Sequence, residues 1–426
     1  MKLNYKRTAL IGFAFLSISA FWQLYDSVIP LMLKNTFQLG ETLTGAIMAV
    51  DNVLALFLLP LFGAWSDRVD TRFGKRTPFI IIGTFFAVIF MMIIPRADQT
   101  VNFPMFFIAL GATLLAMGSY RSPAVALMPD LTPKPLRSKA NAVINLMGAV
   151  GYIIALGLIS LLVKKESNPD YTIIFALAAL LMVVSVVILI LTIREKKLAA
   201  EMADSISTDT EADKANVKEA TGPLPKEVMK SLVLLLASIF LWFTAYNAVT
   251  TAYSRYAGEV WGLTGGSFAN SLMVAGAAAI VSYIPIGMIA STIGRKKTIL
   301  IGILMMTISY FVGYLFVEYS SWINVVFAFT GIGWAAINVN SYPMVVEMSR
   351  RGDVGKYTGY YYTFSMAAQI FTPIFSGLLL EKISYRTLFP YAVVFSLLSF
   401  CTMLFVKHGD SKPPKKTENI EHFDVD

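Results

Sequence analysis

Gly63-Ala64-Trp65-Ser66-Asp67-Arg68-Val69-Asp70-Thr71-Arg72-Phe73-Gly74-Lys75-Arg76-Thr77-Pro78-Phe79 is a short basic stretch between two apolar runs, at 43–65 and 79–94. Both runs approach the roughly 20 apolar residues that a bilayer-spanning helix needs. Outward from this loop, further runs stand at 9–33, 103–127, 140–163, 173–193, 232–253, 268–290, 299–316, 322–346, 360–380 and 388–406. Composition agrees with twelve spans. Of 426 residues, 56% are hydrophobic and 15% charged, against about 25% charged in soluble chains, and mean hydropathy is +0.64. The expectation is an all-α membrane protein of twelve transmembrane helices, arranged as two six-helix pseudo-symmetric halves.

Lys and Arg test the span count, because an error of one helix would scramble their alternation between loops. The first residues, the even-numbered loops and the last residues carry 27, the other loops carry 7, and Arg121 lies within the fourth span. This bias predicts a multi-pass protein of the plasma or inner membrane with both ends of the chain in the cytoplasm. It also explains the net charge of +8 without nucleic acid as a partner. Lys2, Lys6 and Arg7 precede a first run too long for a signal peptide's apolar core, so an uncleaved first helix is expected.

Residues 194–230 form the long polar interruption, with a flexible cytoplasmic linker as their expected role. The division expected is 1–193 for one half, 194–230 for the linker, 231–406 for the second half and 407–426 for a cytoplasmic tail. The halves repeat. Gly63 through Gly74-Lys75-Arg76 is echoed by Gly287 through Gly294-Arg295-Lys296-Lys297. Tyr120-Arg121-Ser122-Pro123 is echoed by Ser341-Tyr342-Pro343. Such duplication is the building plan of alternating-access transporters.

The 63–79 stretch, with Ala126-Leu127-Met128-Pro129-Asp130-Leu131 and Ala140-Asn141-Ala142, resembles the major facilitator superfamily. More narrowly, it is similar to sucrose/proton symporters and glycoside–cation symporters. The resemblance implies a secondary active transporter, proton-coupled and carrying a glycoside or oligosaccharide, working as a monomer by alternating access. An exporter of amphipathic compounds and a non-transporting membrane sensor are the alternatives, since fold does not fix substrate. Melibiose-type symporters carry an acidic pair where Ala55 and Leu59 stand here, which favours protons over sodium. Sucrose symporters carry an arginine where Val125 stands, one turn from Arg121.

Within the loop itself, Gly63 permits close helix contact, Asp67 can accept from an arginine or a helix N-terminus, and Arg68, Arg72, Lys75 and Arg76 supply charge. Gly63, Asp67, Arg68, Gly74, Arg76 and Asp130 are therefore a candidate cytoplasmic gate. In the second half the matching positions are Ser291 and Thr292, which lack the charges for an equivalent gate.

Ionisable groups inside a bilayer are functional candidates by default. Asp26, Asp51 and Arg121 lie within spans, and both aspartates fall roughly 10–12 Å below the outer surface, where they can share one chamber. Burial or a neighbouring carboxylate favours the protonated form of a carboxyl group. Asp51 and Asp26 are therefore the proton-coupling candidates. Arg121, nearer the inner end, is expected to face Asp130, Glu347 or the substrate.

A sugar site needs aromatic faces and neutral hydrogen-bonding groups. Besides Arg121, the candidates are Trp22, Gln23, Tyr25, Asn145, Trp242, Tyr246, Asn247, Trp334, Asn338, Asn340 and Gln369. No metal and no cofactor is expected: one cysteine, Cys401, and two histidines near the end of the sequence offer no ligand cluster. No nucleophile or phosphate loop suggests an enzyme.

Overall fold

The computed structural model describes residues 3–132, 137–166, 169–200, 225–348 and 354–410. The centre of the expected linker, 201–224, and the tail from 411 onward lie outside the described residues. Among the described residues, twelve helices are long and apolar enough to cross a membrane, and no strand is formed. The first six are α1 (Tyr5–Asn35), α2 (Glu41–Arg68), α3 (Thr77–Gln99), α4 (Phe103–Asp130), α5 (Arg137–Leu162) and α6 (Thr172–Thr192). The second six are α7 (Lys226–Trp261), α8 (Ala269–Ile293), α9 (Arg295–Leu315), α10 (Ile323–Glu347), α11 (Val354–Lys382) and α12 (Leu388–Leu404), the last entered through a 3-10 turn at Tyr385–Thr387.

Local chemistry sets the helix ends. Asn4 and Asn102 cap α1 and α4, accepting from the backbone N–H of Arg7 and Met105 at 3.0 and 3.1 Å. Pro78 sits in the first turn of α3, where its missing N–H costs nothing. Several helices run past the apolar runs. Hydropathy places the seventh span at 232–253, yet α7 continues to Trp261 and brings Arg255 and Glu259 into the helix.

The packing repeats between halves. In the first, α1 packs on α5 and α6, α3 on α4 and α6, and α2 on α4; in the second, α7 packs on α11 and α12, α9 on α10 and α12, and α8 on α10. The two halves meet mainly along α2 with α11 and α5 with α8. Each half is also tied by a carboxylate that follows its sixth helix. Glu195 accepts from the backbone N–H groups of Lys75, Arg76 and Thr77 at 2.7–2.9 Å, capping α3. Asp410 accepts from the backbone N–H of Arg295 at 2.6 Å, capping α9. The sequence repeat does not reveal this correspondence, because both carboxylates sit in divergent polar segments.

Candidate functional site

Side chains from seven helices come together in one polar and aromatic cluster, referred to below as the chamber. α1 presents Trp22 and Asp26 one turn apart, α2 presents Asp51 and α4 presents Arg121, all half-buried. Asp26 and Asp51 lie within electrostatic reach of each other and of Arg121. Asn52 donates its side-chain N–H to Asp51 Oδ1 at 2.7 Å. The Arg121 guanidinium sits over the Trp22 ring, 5.5 Å from its centroid, a cation–π arrangement. Among the described residues, the second half supplies an aromatic platform here and no charge. Tyr246 of α7 and Trp334 of α10 stack with centroids 3.7 Å apart and planes 4° from parallel, with Phe243 edge-on to Trp334. Tyr246 and Tyr152 of α5 reach the field of Asp26, and Tyr362 of α11 that of Arg121.

Helical geometry separates the remaining candidates. Successive residues turn about 100° apart, so Trp22, Gln23 and Tyr25 cannot all face one space. Gln23 is buried and donates to Ser27 Oγ at 2.6 Å, while Tyr25 is buried with its hydroxyl 3.4 Å from the Met48 carbonyl. Trp242 is 1% exposed and packed in the core. Asn340 is buried and donates to the Ala336 carbonyl at 2.8 Å. All four side chains are thus buried in this conformation, Gln23 and Asn340 bonded within their own helices and Tyr25 within the field of Asp26 and Asp51. Asn338 shares the face of Trp334, one turn away, and is half-buried. Asn247 adjoins Tyr246 with its side-chain nitrogen buried and unpartnered among the described residues. Gln369 is half-buried and donates to the Ser365 carbonyl at 3.3 Å, and Asn145 is exposed on α5.

Arg121 also differs from expectation in its neighbours. Asp130 is engaged by Arg76 and Glu347 by Arg295, so neither faces Arg121. Arg76 is the hub of the loop after α2. Its Nε donates to Asp130 Oδ2 at 2.8 Å, and its terminal nitrogens donate to Asp67, to Ser66 Oγ and to the Gly63 carbonyl. Gly74, at φ +114°, makes this possible: a side chain there would be strained and would overlap Glu195. Arg68 and Lys75 are exposed. In the second half the Arg295–Glu347 pair parallels Arg76–Asp130, but the hydroxyls of Ser291 and Thr292 bond only to the Met288 carbonyl. Among the described residues, the ion pairs at this end of the bundle, where α1 begins and α12 ends, stay within one half.

The opposite end is closed by contacts between halves that sequence reasoning missed. Glu41, at the start of α2, and Arg255, on the last turns of α7, are 3% and 5% exposed and pair at 2.6 Å. Tyr385 donates its hydroxyl to Glu41 at 2.5 Å, Lys34 pairs with Glu259 at 2.5 Å, and the backbone N–H of Thr42 donates to Glu381 at 2.9 Å. Backbones touch as well. A Cβ on Gly45 would lie 2.0 Å from the Pro373 carbonyl oxygen, and one on Gly266 would lie 1.9 Å from that of Ile159. The buried residues of α2 follow suit: six fall between Glu41 and Ala49, and beyond them only Ala55 and Ser66. The described contacts between the halves are thus concentrated at the end where α2 begins.

A family model of the Major Facilitator Superfamily matches residues 11–286 and 272–424. The chain belongs to this superfamily. Among curated proteins, the sucrose transport protein SUC3 of Arabidopsis thaliana is 27% identical over 152 residues, which is 31% of this chain and 25% of that protein. The proton-associated sugar transporter A of Homo sapiens is 40% identical over 55 residues, 13% of this chain and 7% of that protein. Each match therefore spans a quarter or less of the relative's length. The inward open xylose transporter XylE from E. coli superimposes with a TM-score of 0.68 at 14% identity, over 96% of this chain and 97% of that one. A POT family transporter in complex with a thioalcohol-conjugated peptide gives 0.69 at 11% identity, over 94% and 95%. At such identities the likeness carries the fold alone, twelve membrane-length helices of the major facilitator type.

Proposed function

We propose that this chain is a proton-coupled symporter of a neutral glycoside or oligosaccharide, working by rocking of the halves 1–193 and 231–406 about the central chamber. The observation that carries this reading is the division of the chamber: carboxylates and an arginine on one half face the Tyr246–Trp334 platform on the other. Aromatic faces suit the apolar faces of sugar rings, and Asn247, Asn338 and the Trp22 indole supply neutral hydrogen-bonding groups. Similarity to a sucrose transport protein and a proton-associated sugar transporter supports the substrate class. The 27 to 7 division of basic residues supports a cytoplasmic location for both ends of the chain in a plasma or inner membrane. The conformation described is then inward-facing.

The mixed charge of the chamber supports a second reading, a zwitterionic substrate such as a short peptide. Binding isotherms separate the two. With a neutral sugar, Asn247→Ala and Asn338→Ala should each cost about 1–2 kcal/mol through lost hydrogen bonds. With a zwitterion, Arg121→Gln should dominate. A large arginine effect with both asparagine variants near wild type would reject the sugar. Counterflow of labelled disaccharides in proteoliposomes tests the proposal directly; absence of flux for every disaccharide, with peptide flux present, would overturn it.

Asp67 is proposed to latch the outward-facing state. Its side chain is 62% exposed here even though it pairs with Arg76, leaving oxygen free to meet the other half when the cytoplasmic ends close. Asp67→Ala should shift the population towards inward-facing by about 1–3 kcal/mol. Accessibility labelling from the two sides measures this, and unchanged labelling counts against the latch.

A further inference from the structure

Where α1 begins and α6 ends, the chain borders an open cleft of about 290 Å³ whose lining includes Lys6, Arg7, Leu10, Ile193, Arg194 and Lys197. We infer that this cleft binds a phosphate-bearing anion, as presented by the headgroup of an acidic phospholipid.

Charge is the first argument. Lys6, Arg7, Arg194 and Lys197 put four positive charges around one small space, and among the described residues none has a carboxylate within ion-pair distance. The acid nearest in sequence, Glu195, is 4% exposed and turned the other way, engaged by the backbone of Lys75, Arg76 and Thr77 and by the Thr77 hydroxyl. Lys196, between the two cleft residues Arg194 and Lys197, points out of the cleft to Asp70 at 3.1 Å. Among the described residues, the two nearby acids, Glu195 and Asp70, are thus committed elsewhere. Four like charges held together repel one another, and a bound dianion or phosphodiester relieves that repulsion.

Position is the second. α1 has 31 residues, about 46 Å of helix against a hydrocarbon core of about 30 Å. Its first turn, with Lys6 and Arg7, therefore reaches headgroup level. The positive end of the α1 dipole points into the same region, and Asn4 already satisfies the N–H of Arg7. Leu10, Ile193 and Leu198 make one wall apolar, as a site shared by a headgroup and the start of its acyl chains requires. Basic pockets between helices on the cytoplasmic side suit acidic headgroups, each nearby Lys or Arg adding to the attraction. The lipid source rests on the proposed cytoplasmic location of this end; the anion chemistry does not.

The full-length protein in a neutral detergent, titrated by calorimetry with dihexanoyl-phosphatidylglycerol, dihexanoyl-phosphatidylcholine and inorganic phosphate, tests this. Saturable binding of the phosphatidylglycerol, weakened about tenfold or more in Arg7→Gln/Arg194→Gln, is the expected result. Lys226→Gln/Lys230→Gln, which removes two exposed charges at the same end, should bind as wild type. Phosphate binding with the same sensitivity supports the anion site and identifies a free phosphate as the source. Equal affinity for phosphatidylcholine, equal loss in both double variants, or no saturable binding of either anion overturns the inference. The readout needs neither a transported substrate nor a sealed membrane, so its failure is separable from failure of the symport proposal, which counterflow decides.

Discussion

Gly45→Ala is expected to hold the protein open at the end where α2 begins. The glycine's backbone lies against the Pro373 carbonyl, and a Cβ would come within 2.0 Å of that oxygen. No rotamer avoids the clash, because both partners are backbone. Overpacking of this kind costs about 1–3 kcal/mol or more, and here the cost falls only on the closed arrangement, since separation of α2 from α11 removes the contact. A bias of 1–3 kcal/mol is roughly a 5- to 150-fold change in population. Gly266→Ala should act in the same direction at the α5–α8 seam. The Glu41–Arg255 pair supports the direction of the change: buried and joined in the closed arrangement, its charges meet water when the halves part, so opening leaves neither one stranded in the protein. Spin-label distances across the closed end, on a background with Cys401 replaced, measure the shift. Wild-type distance distributions in both glycine variants would show that these seams do not set the access state.

Asp51→Asn is expected to abolish accumulation driven by a proton gradient while sparing exchange of substrate. The amide keeps the shape of the carboxyl, and its oxygen can still accept from Asn52, so the chamber is preserved. It mimics the protonated form but cannot cycle. One pH unit is worth about 1.4 kcal/mol per proton, or about tenfold accumulation at one proton per substrate. In the variant the ratio should fall to one. Proteoliposomes with an imposed pH gradient give the measurement, and counterflow in the same vesicles shows whether the carrier still turns over. Normal accumulation by this variant, with loss in Asp26→Asn, would move the coupled proton to the other carboxylate.

The twelve spans were legible because hydrocarbon demands long apolar runs, and their ends were not, because a helix continues past the hydrocarbon as long as its backbone bonds do. Arg255 shows the cost of that difference. Hydropathy stops the seventh span at 253 and leaves the arginine in a loop, whereas α7 carries it to Glu41, 214 residues away in sequence. No local pattern announces such a pair. The carboxylates in the chamber were legible, since an aspartate facing hydrocarbon is too costly to keep without a proton, a partner or a polar space, and equal depth brought Asp26 and Asp51 together. Rotation about a helix axis was harder: Trp22 and Gln23 look alike as candidates until the neighbouring helices decide which face meets the chamber. Arg76 was legible as a basic loop residue but not as the centre of four hydrogen-bonding groups, because three of its partners come from α2 and one from α4.

Glu195 and Asp410 carry a consequence for the order of synthesis. Glu195 reaches Thr77 across 118 residues, and Asp410 reaches Arg295 across 115. At roughly 5–20 residues per second, the start of α3 and the start of α9 each exist for about 6–24 seconds before the carboxylate that caps them is made. During that interval the amides of residues 75–77 must be held by water at the membrane surface or by the translocation machinery. Each half is therefore fastened by the last part of it to be synthesised, and both halves wait for nearly the same time.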